Sequence, residues 1–289
     1  MQFQSCFSMD NRYEDKVRIH AVVRISYTTQ VAVPSFRRFC NMALYAIGDL
    51  HLSFQSEIPS IAQKNSPLWK NHEQLFRRYC TETIQPEDTL VLVGDHSWGK
   101  KLAFCEKDLQ YIEALPGRKI LIRGNHDMFW PANKTKQLNT CYEGRLHFLQ
   151  DNFFSYKDYA LVGTKGITFE GPFYVDRRGN ILGWDPDAEA QAQKLARREL
   201  KRLRDSFEQA ASAGYRKFLM FLHYPPTNIL ESESCFTRIA EEYGVEQVVY
   251  AHCHGEERFH DSIIGIKNGI RYSLVSGDYL RWRPQLIKA

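Results

Sequence analysis

The chain has no pair of cysteines spaced as CxxC. Its seven cysteines, Cys6, Cys40, Cys80, Cys105, Cys141, Cys235 and Cys253, are scattered and odd in number. That fits reduced thiols in a cytoplasmic protein better than a disulfide framework. No apolar run approaches the roughly 18 residues of a membrane-spanning helix, and the N-terminus lacks a secretory hydrophobic segment with a small-residue cleavage site. Internal repeats and low-complexity tracts are also missing, which argues against a solenoid. Charge of one sign is scarce: of the net +4, residues 1–41 supply +3 through six basic and three acidic residues. The remaining 32 basic and 31 acidic residues nearly cancel, so the basic footprint of a nucleic-acid binder is absent. What remains is 289 residues with 43% hydrophobic content, enough to enclose the core of one enzyme-sized domain.

Five short polar blocks stand out against this background. They are Asp49 and His51 in GDLH, Gly94 and Asp95 in GDH, Gly124 to Asp127 in GNHD, His223 in LHYPP, and His252 with His254 in AHCH. Each follows an apolar segment (LYAI, TLVLV, KILI, FLMFL, QVVY), so buried strands would deliver all five to one rim. Side chains that prefer water placed at adjacent strand ends bring carboxylate, imidazole and amide oxygen together, and cations balance their charge and desolvation. Cys253 lies between two histidines, but on an extended segment its side chain points away from both, which makes it a bystander.

In this order the blocks resemble the calcineurin-like metallophosphoesterases, whose pattern runs D-x-H, GD, GNH[DE], H and GHxH. The resemblance spans residues 44–278, and LIRGNHD and LHYPPTN are most similar to small bacterial-type phosphohydrolases of that family. It implies a first metal site at Asp49, His51, Asp95 and His254 and a second at Asp95, Asn125, His223 and His252, with Asp95 bridging. The mixed oxygen and nitrogen donors imply two divalent ions, Mn²⁺, Fe or Zn²⁺. The implied reaction is in-line attack on phosphorus by a hydroxide held between the cations. His126 matches the family's electrostatic partner or proton donor. Asp127 is the second catalytic candidate, with the alternative that it caps the turn. The implied substrate is a small phosphorylated molecule with a phosphomonoester, phosphodiester or pyrophosphate bond. The alternatives are a metal-dependent nuclease, against which the near-neutral charge counts, and a metal-binding scaffold without catalysis.

Periodicity predicts strands at 44–47, 89–93, 119–122, 146–149, 159–163, 217–222, 247–250, 261–266 and 270–275, and helices over 69–84, 106–115, 187–213 and 235–242. Residues 165–185 are expected to be a long loop, and Asn268-Gly269 a hairpin turn. With the resemblance added, this implies an α/β, four-layer α/β/β/α fold, two packed mixed β-sheets flanked by helices, over residues 42–289. Residues 1–41 are expected to be a poorly ordered appendage or a mis-set start, because MALYAIGDLHLS reads like a complete N-terminus.

Two departures from the pattern matter. Relatives carry GD-x-x-[DE], whose acid supports the catalytic histidine, whereas here the block continues His96, Ser97, Trp98; Asp127 is the nearest replacement by sequence. Ala251 stands where GHxH has glycine, which demands φ below zero and space for a methyl. Arg123 is open between clamping a phosphate and pairing with an acid. His96 is expected to act behind the ligands or at the surface, and Trp98, Phe129, Trp130, Tyr224 and Trp184 to line a pocket or seal the core edge. His20, His72, His147 and His260 fall outside the motifs.

Overall fold

The computed structural model describes residues 42–55, 67–167, 173–175, 181–184, 186–227 and 233–289. The expected N-terminal appendage therefore lies outside the described residues, as does His20.

The chain alternates β1 (Leu44–Ile47), α1 (His72–Thr83), β2 (Thr89–Val93), α2 (Glu106–Glu113), β3 (Arg118–Ile122), α3 (Thr135–Cys141) and β4 (Leu146–Leu149). The strands β1 to β4 pair in parallel, and β13 (Gln285–Lys288) adds antiparallel to β1, giving the order β13-β1-β2-β3-β4. A second sheet is built from β5 (Phe153–Tyr156), β6 (Tyr159–Thr164), β9 (Lys217–Leu222), β10 (Gln247–Tyr250), β11 (Gly265–Lys267) and β12 (Ile270–Leu274). Its order is β11-β12-β10-β9-β6-β5, parallel in the middle and antiparallel at both edges. Two further strands, β7 (Phe173–Val175) and β8 (Ile181–Trp184), form a separate antiparallel ribbon. The remaining helices are α4 (Pro186–Ser212), α5 (Cys235–Glu242) and α6 (Glu256–His260).

Alternation along the strands explains the layering. Leu44, Ala46, Val91, Val93, Ile120 and Ile122 of the first sheet meet Leu161, Leu219, Phe221 and Val249 of the second in one buried inter-sheet core. The opposite faces are covered by helices. Ile47, Leu90, Leu92 and Phe148 pack with Phe76 and Cys80 of α1, Leu109 and Ile112 of α2, and Leu138 of α3. On the other side Val162, Phe218, Met220, Val248 and Tyr250 pack with Leu203, Phe207 and Ala210 of α4 and with Phe236 and Ile239 of α5. The fold is the expected four-layer α/β/β/α arrangement, with central strands such as β2 and β10 buried on both faces and hence nearly continuous apolar runs.

Local chemistry sets the element ends. Pro186 opens α4, where its missing N–H costs nothing. Ser234 caps α5 by accepting from the Phe236 and Thr237 N–H groups. Asn268 and Gly269 take φ of 50° and 79° between β11 and β12, the two left-handed residues of a tight hairpin.

Two expectations fail, and three elements were unforeseen. The predicted loop 165–185 contains the β7/β8 ribbon, whose short strands carry too few residues for a readable period. The strand predicted at 261–266 begins only at Gly265, because the chain first winds through α6 and turns. Strands β5 and β13 and helix α3 were not foreseen: β13 is a four-residue edge strand that gains its partner from β1, 241 residues earlier, and such pairing leaves no local signature.

Candidate metal centre

Asp49 and His51 follow β1, Asp95 follows β2, and Asn125 and His126 follow β3 of the first sheet; His223 follows β9, and His252 and His254 follow β10 of the second. The two sheets thus deliver their strand ends to the same place. The loops are tied by backbone hydrogen bonds from Asp49 N–H to the Gly94 carbonyl (2.9 Å), His51 N–H to the Asp95 carbonyl (2.8 Å) and Ala251 N–H to the His223 carbonyl (3.1 Å). Asp49, His51, Asp95 and His252 take φ of 62°, 44°, 53° and 71°. Each such non-glycine residue in the left-handed region costs about 1 kcal/mol or more, and strain of this kind concentrates at functional sites. Close packing is equally demanding: a Cβ at Gly124 would lie 2.1 Å from Asp95 Oδ1.

The ligating atoms fall into two groups, Asp49, His51 and His254, and Asp95, His223 and His252, each with its donor atoms within 4.8 Å of one another. Asp95 Oδ2 stands 3.6 Å from His51 Nε2 in one group and 3.5 Å from His223 Nε2 in the other. Asn125 Oδ1 faces His223 Nε2 at 2.7 Å. His223 Nδ1 must donate to the Val93 carbonyl at 3.0 Å, because a carbonyl only accepts. Burial lowers the proton affinity of His223 and keeps the ring neutral, so its Nε2 lone pair points at the lone pairs of an amide oxygen. A cation resolves that opposition.

The other orphaned atoms agree. Asp49 Oδ1 and both ring nitrogens of His51 are buried without hydrogen-bond partners. Burial, then the neighbouring imidazoles of His254, His126 and His223, hold His51 well below the ordinary histidine range. Burial and His223 push His252 down to about 2. Neutral imidazoles are the state in which histidine binds metal. Burial, then Asp127, pushes Asp95 up to about 7, and burial also raises Asp49. Two buried carboxylates whose hold on a proton is raised for want of a counter-charge fit a site built for cations.

His254 differs. Burial pulls it down, but Asp49 and the hydrogen bond to Asp278 outweigh that and push it up to about 9. Its Nδ1 donates to Asp278 Oδ1 at 3.0 Å, leaving Nε2 aimed at Asp49 Oδ1, 3.7 Å away. Asp278 is a functional residue the sequence reading missed. A signal existed: Gly277-Asp278 follows the strand β12, the same apolar-run-then-Gly-Asp signature as the second block.

A family model for calcineurin-like phosphoesterases matches residues 42–256. The chain belongs to that family. Among solved structures it is similar to a protein of unknown function from Aquifex aeolicus, at 17% identity and a TM-score of 0.44, covering 85% of this chain and 96% of that one. It is also similar to the phosphopantetheinyl hydrolase of Mycobacterium tuberculosis, at 14% identity and 0.47, covering 85% and 95%. A third is a 5'-nucleotidase precursor from Thermus thermophilus, at 15% and 0.32, covering 74% and 42%. No curated protein matches the chain.

Within this calcineurin-like phosphoesterase the remaining candidates take clear places. Asp127 is fully buried and accepts from the N–H groups of Gly124 (2.7 Å), His96 (2.8 Å) and Asp95 (3.0 Å), and from His96 Nδ1 (2.8 Å). Those contacts place it under the turn, where it holds the loop of Asp95. His96 is the buried partner behind the ligands, not a surface group. His126 is 40% exposed, and its Nε2 lies 3.9 Å from Asp95 Oδ2. At the position of the family's missing acid stands Trp98, whose ring centroid is 4.2 Å from that of His126 and 5.0 Å from that of His51. An indole therefore packs on His126 where relatives place a carboxylate. The Ala251 methyl fits because a Cβ at Gly48 would lie only 2.5 Å from it. Phe129 and Trp130 are buried in the core, Tyr224 packs on His252 at 4.4 Å, and the Trp184 side chain lies outside the described residues. Cys253 joins the outer core of the second sheet and belongs to neither ligand group.

Proposed function

We propose that this protein is a dinuclear-metal phosphoesterase that cleaves a phosphomonoester, phosphodiester or pyrophosphate bond of a small phosphorylated substrate. The observation that carries the reading is the opposed pair His223 Nε2 and Asn125 Oδ1 beside a carboxylate, Asp95, common to both ligand groups. Asp49, His51, Asp95 and His254 would hold one ion, and Asp95, Asn125, His223 and His252 the other; the donor set suits Mn²⁺, Fe or Zn²⁺. When bound, two such ions neutralise phosphoryl oxygens and supply an activated water for in-line displacement.

The chain's own residues do the rest. Asp127 and the cross-loop hydrogen bonds fix Asp95 between the two groups. His126, exposed beside Asp95 and backed by Trp98, would donate a proton to the leaving oxygen or stabilise its charge. His254 is oriented by Asp278, which selects Nε2 as the donor atom.

Hydrolysis of p-nitrophenyl phosphate and bis-p-nitrophenyl phosphate by metal-stripped protein, before and after adding Mn²⁺, tests the reading. Mn²⁺-dependent release that disappears in Asp95→Asn is expected, and the preferred ester separates monoesterase from diesterase. Protein that binds no divalent ion at either group would refute it.

A further inference from the structure

Lys165 follows β6 directly and is half-buried. Its carbonyl accepts from the Tyr224 N–H at 2.9 Å, and its ammonium lies over the Tyr224 ring, 5.4 Å from the centroid. Tyr224 in turn packs against the ligand His252. Among the described residues no carboxylate stands within ion-pair distance of Lys165, and the acids nearby are already engaged. Glu199 is spent on Arg202, Gln150 and Thr164, and Asp127 on the loop beneath Asp95. Arg123 adds a second half-buried cation, with its Nε donated to the Trp130 carbonyl at 2.6 Å. Burial, then Arg123, lowers the hold of Lys165 on its proton, while Glu199 and Asp95 act the other way. A desolvated ammonium beside another cation, with no counter-ion, is unfavourable unless a ligand supplies the charge.

We propose that Lys165, on its Tyr224 platform beside His252 and supported by the charge of Arg123, is an anion subsite for a second phosphate of the substrate, next to the phosphoryl group being cleaved. This rests on the phosphoesterase reading of the same site and narrows its substrates to phosphate compounds with a second, adjacent phosphate. The ions neutralise the scissile group, and Lys165 takes the group one aromatic ring further out.

The test compares kcat/KM for adenosine 5'-diphosphate, adenosine 5'-monophosphate and p-nitrophenyl phosphate in Mn²⁺-loaded wild type, Lys165→Met and Lys165→Arg, with Lys165→Gln as a second neutral variant should the first misfold. Wild type prefers the diphosphate. Lys165→Met reduces that preference about tenfold or more, the scale of a lost charge-assisted contact, and Lys165→Arg retains most of it. Equal losses on all three substrates would mean that Lys165 holds the scissile group; that result, an unchanged preference, or no wild-type preference overturns the proposal. Should wild type hydrolyse none of the three, the phosphoesterase reading fails separately. The subsite is then decided by calorimetry on metal-loaded protein with inorganic pyrophosphate and orthophosphate: selective weakening of pyrophosphate by Lys165→Met supports it, and equal effects sink it.

Discussion

The two candidate ligand groups are built from the same residue types, one from the ends of β1 and β10 and the other from the ends of β2, β9 and β10, yet they stand in different protonation states. In the group of Asp95, His223 and His252, burial keeps both imidazoles neutral, and the Val93 carbonyl fixes which nitrogen of His223 faces the cation. In the group of Asp49, His51 and His254, one imidazole is as strongly neutral, but His254 is charged by Asp49 and Asp278. The difference lies in what stands behind the ring. A carbonyl orients an imidazole without charging it; a carboxylate orients it and also holds a proton that a cation must displace. The first arrangement is ready for metal at neutral pH, and the second trades some affinity for a more basic ligand.

Breaking the shared element gives the largest expected effect. Asp95→Asn removes the ligand common to both groups, and metal analysis should show both ions lost and activity at background. Next, His126→Ala should keep both ions, because this ring belongs to neither group, and slow turnover by about 10²- to 10⁴-fold; full activity in that variant would remove His126 from the chemistry. Asp278→Asn sharpens the comparison. It should weaken metal binding about 10- to 100-fold at the Asp49 group and leave the Asp95 group nearly unchanged, so equal weakening of both would contradict the separate roles. The smallest effect is a slope with pH. His254 titrates at about 9 and Asp95 at about 7 in the metal-free protein. Both lose a proton on ligation, so affinity rises with pH through that window and falls below about 7 for both groups. Between 7 and 9 only the Asp49 group should still gain, which metal titrations at a series of pH values would reveal.

The central strands were legible because each is a run of apolar residues closed by a polar block: 89–93, 146–149, 217–222 and 247–250 are observed as predicted. The ligand candidates were legible because five such blocks follow one another in the order of the family pattern, whereas any one alone reads as a turn. Less could be read behind them. Sequence offered Asp127 as a partner for His126, but Asp127 is turned under the loop to His96 and three backbone N–H groups, and Trp98 occupies the place beside His126. Consecutive residues in a turn with left-handed members do not alternate as they do in a strand, so directions there cannot be inferred from spacing. Asp278 was missed because its partner His254 lies 24 residues away, across the α6 and hairpin segments.

The sequence by itself determined the central strands and the polar blocks at their ends, because both are properties of residue type and short spacing, and the resemblance of those blocks to a family pattern supplied the layered architecture and the set of metal-ligand candidates. Only the tertiary structure decided which group backs which ligand, which imidazole carries a proton, and that Lys165 has no counter-ion among the described residues. Those outcomes depend on desolvation and on contacts between loops from two different sheets, and neither is encoded in any local stretch of chain.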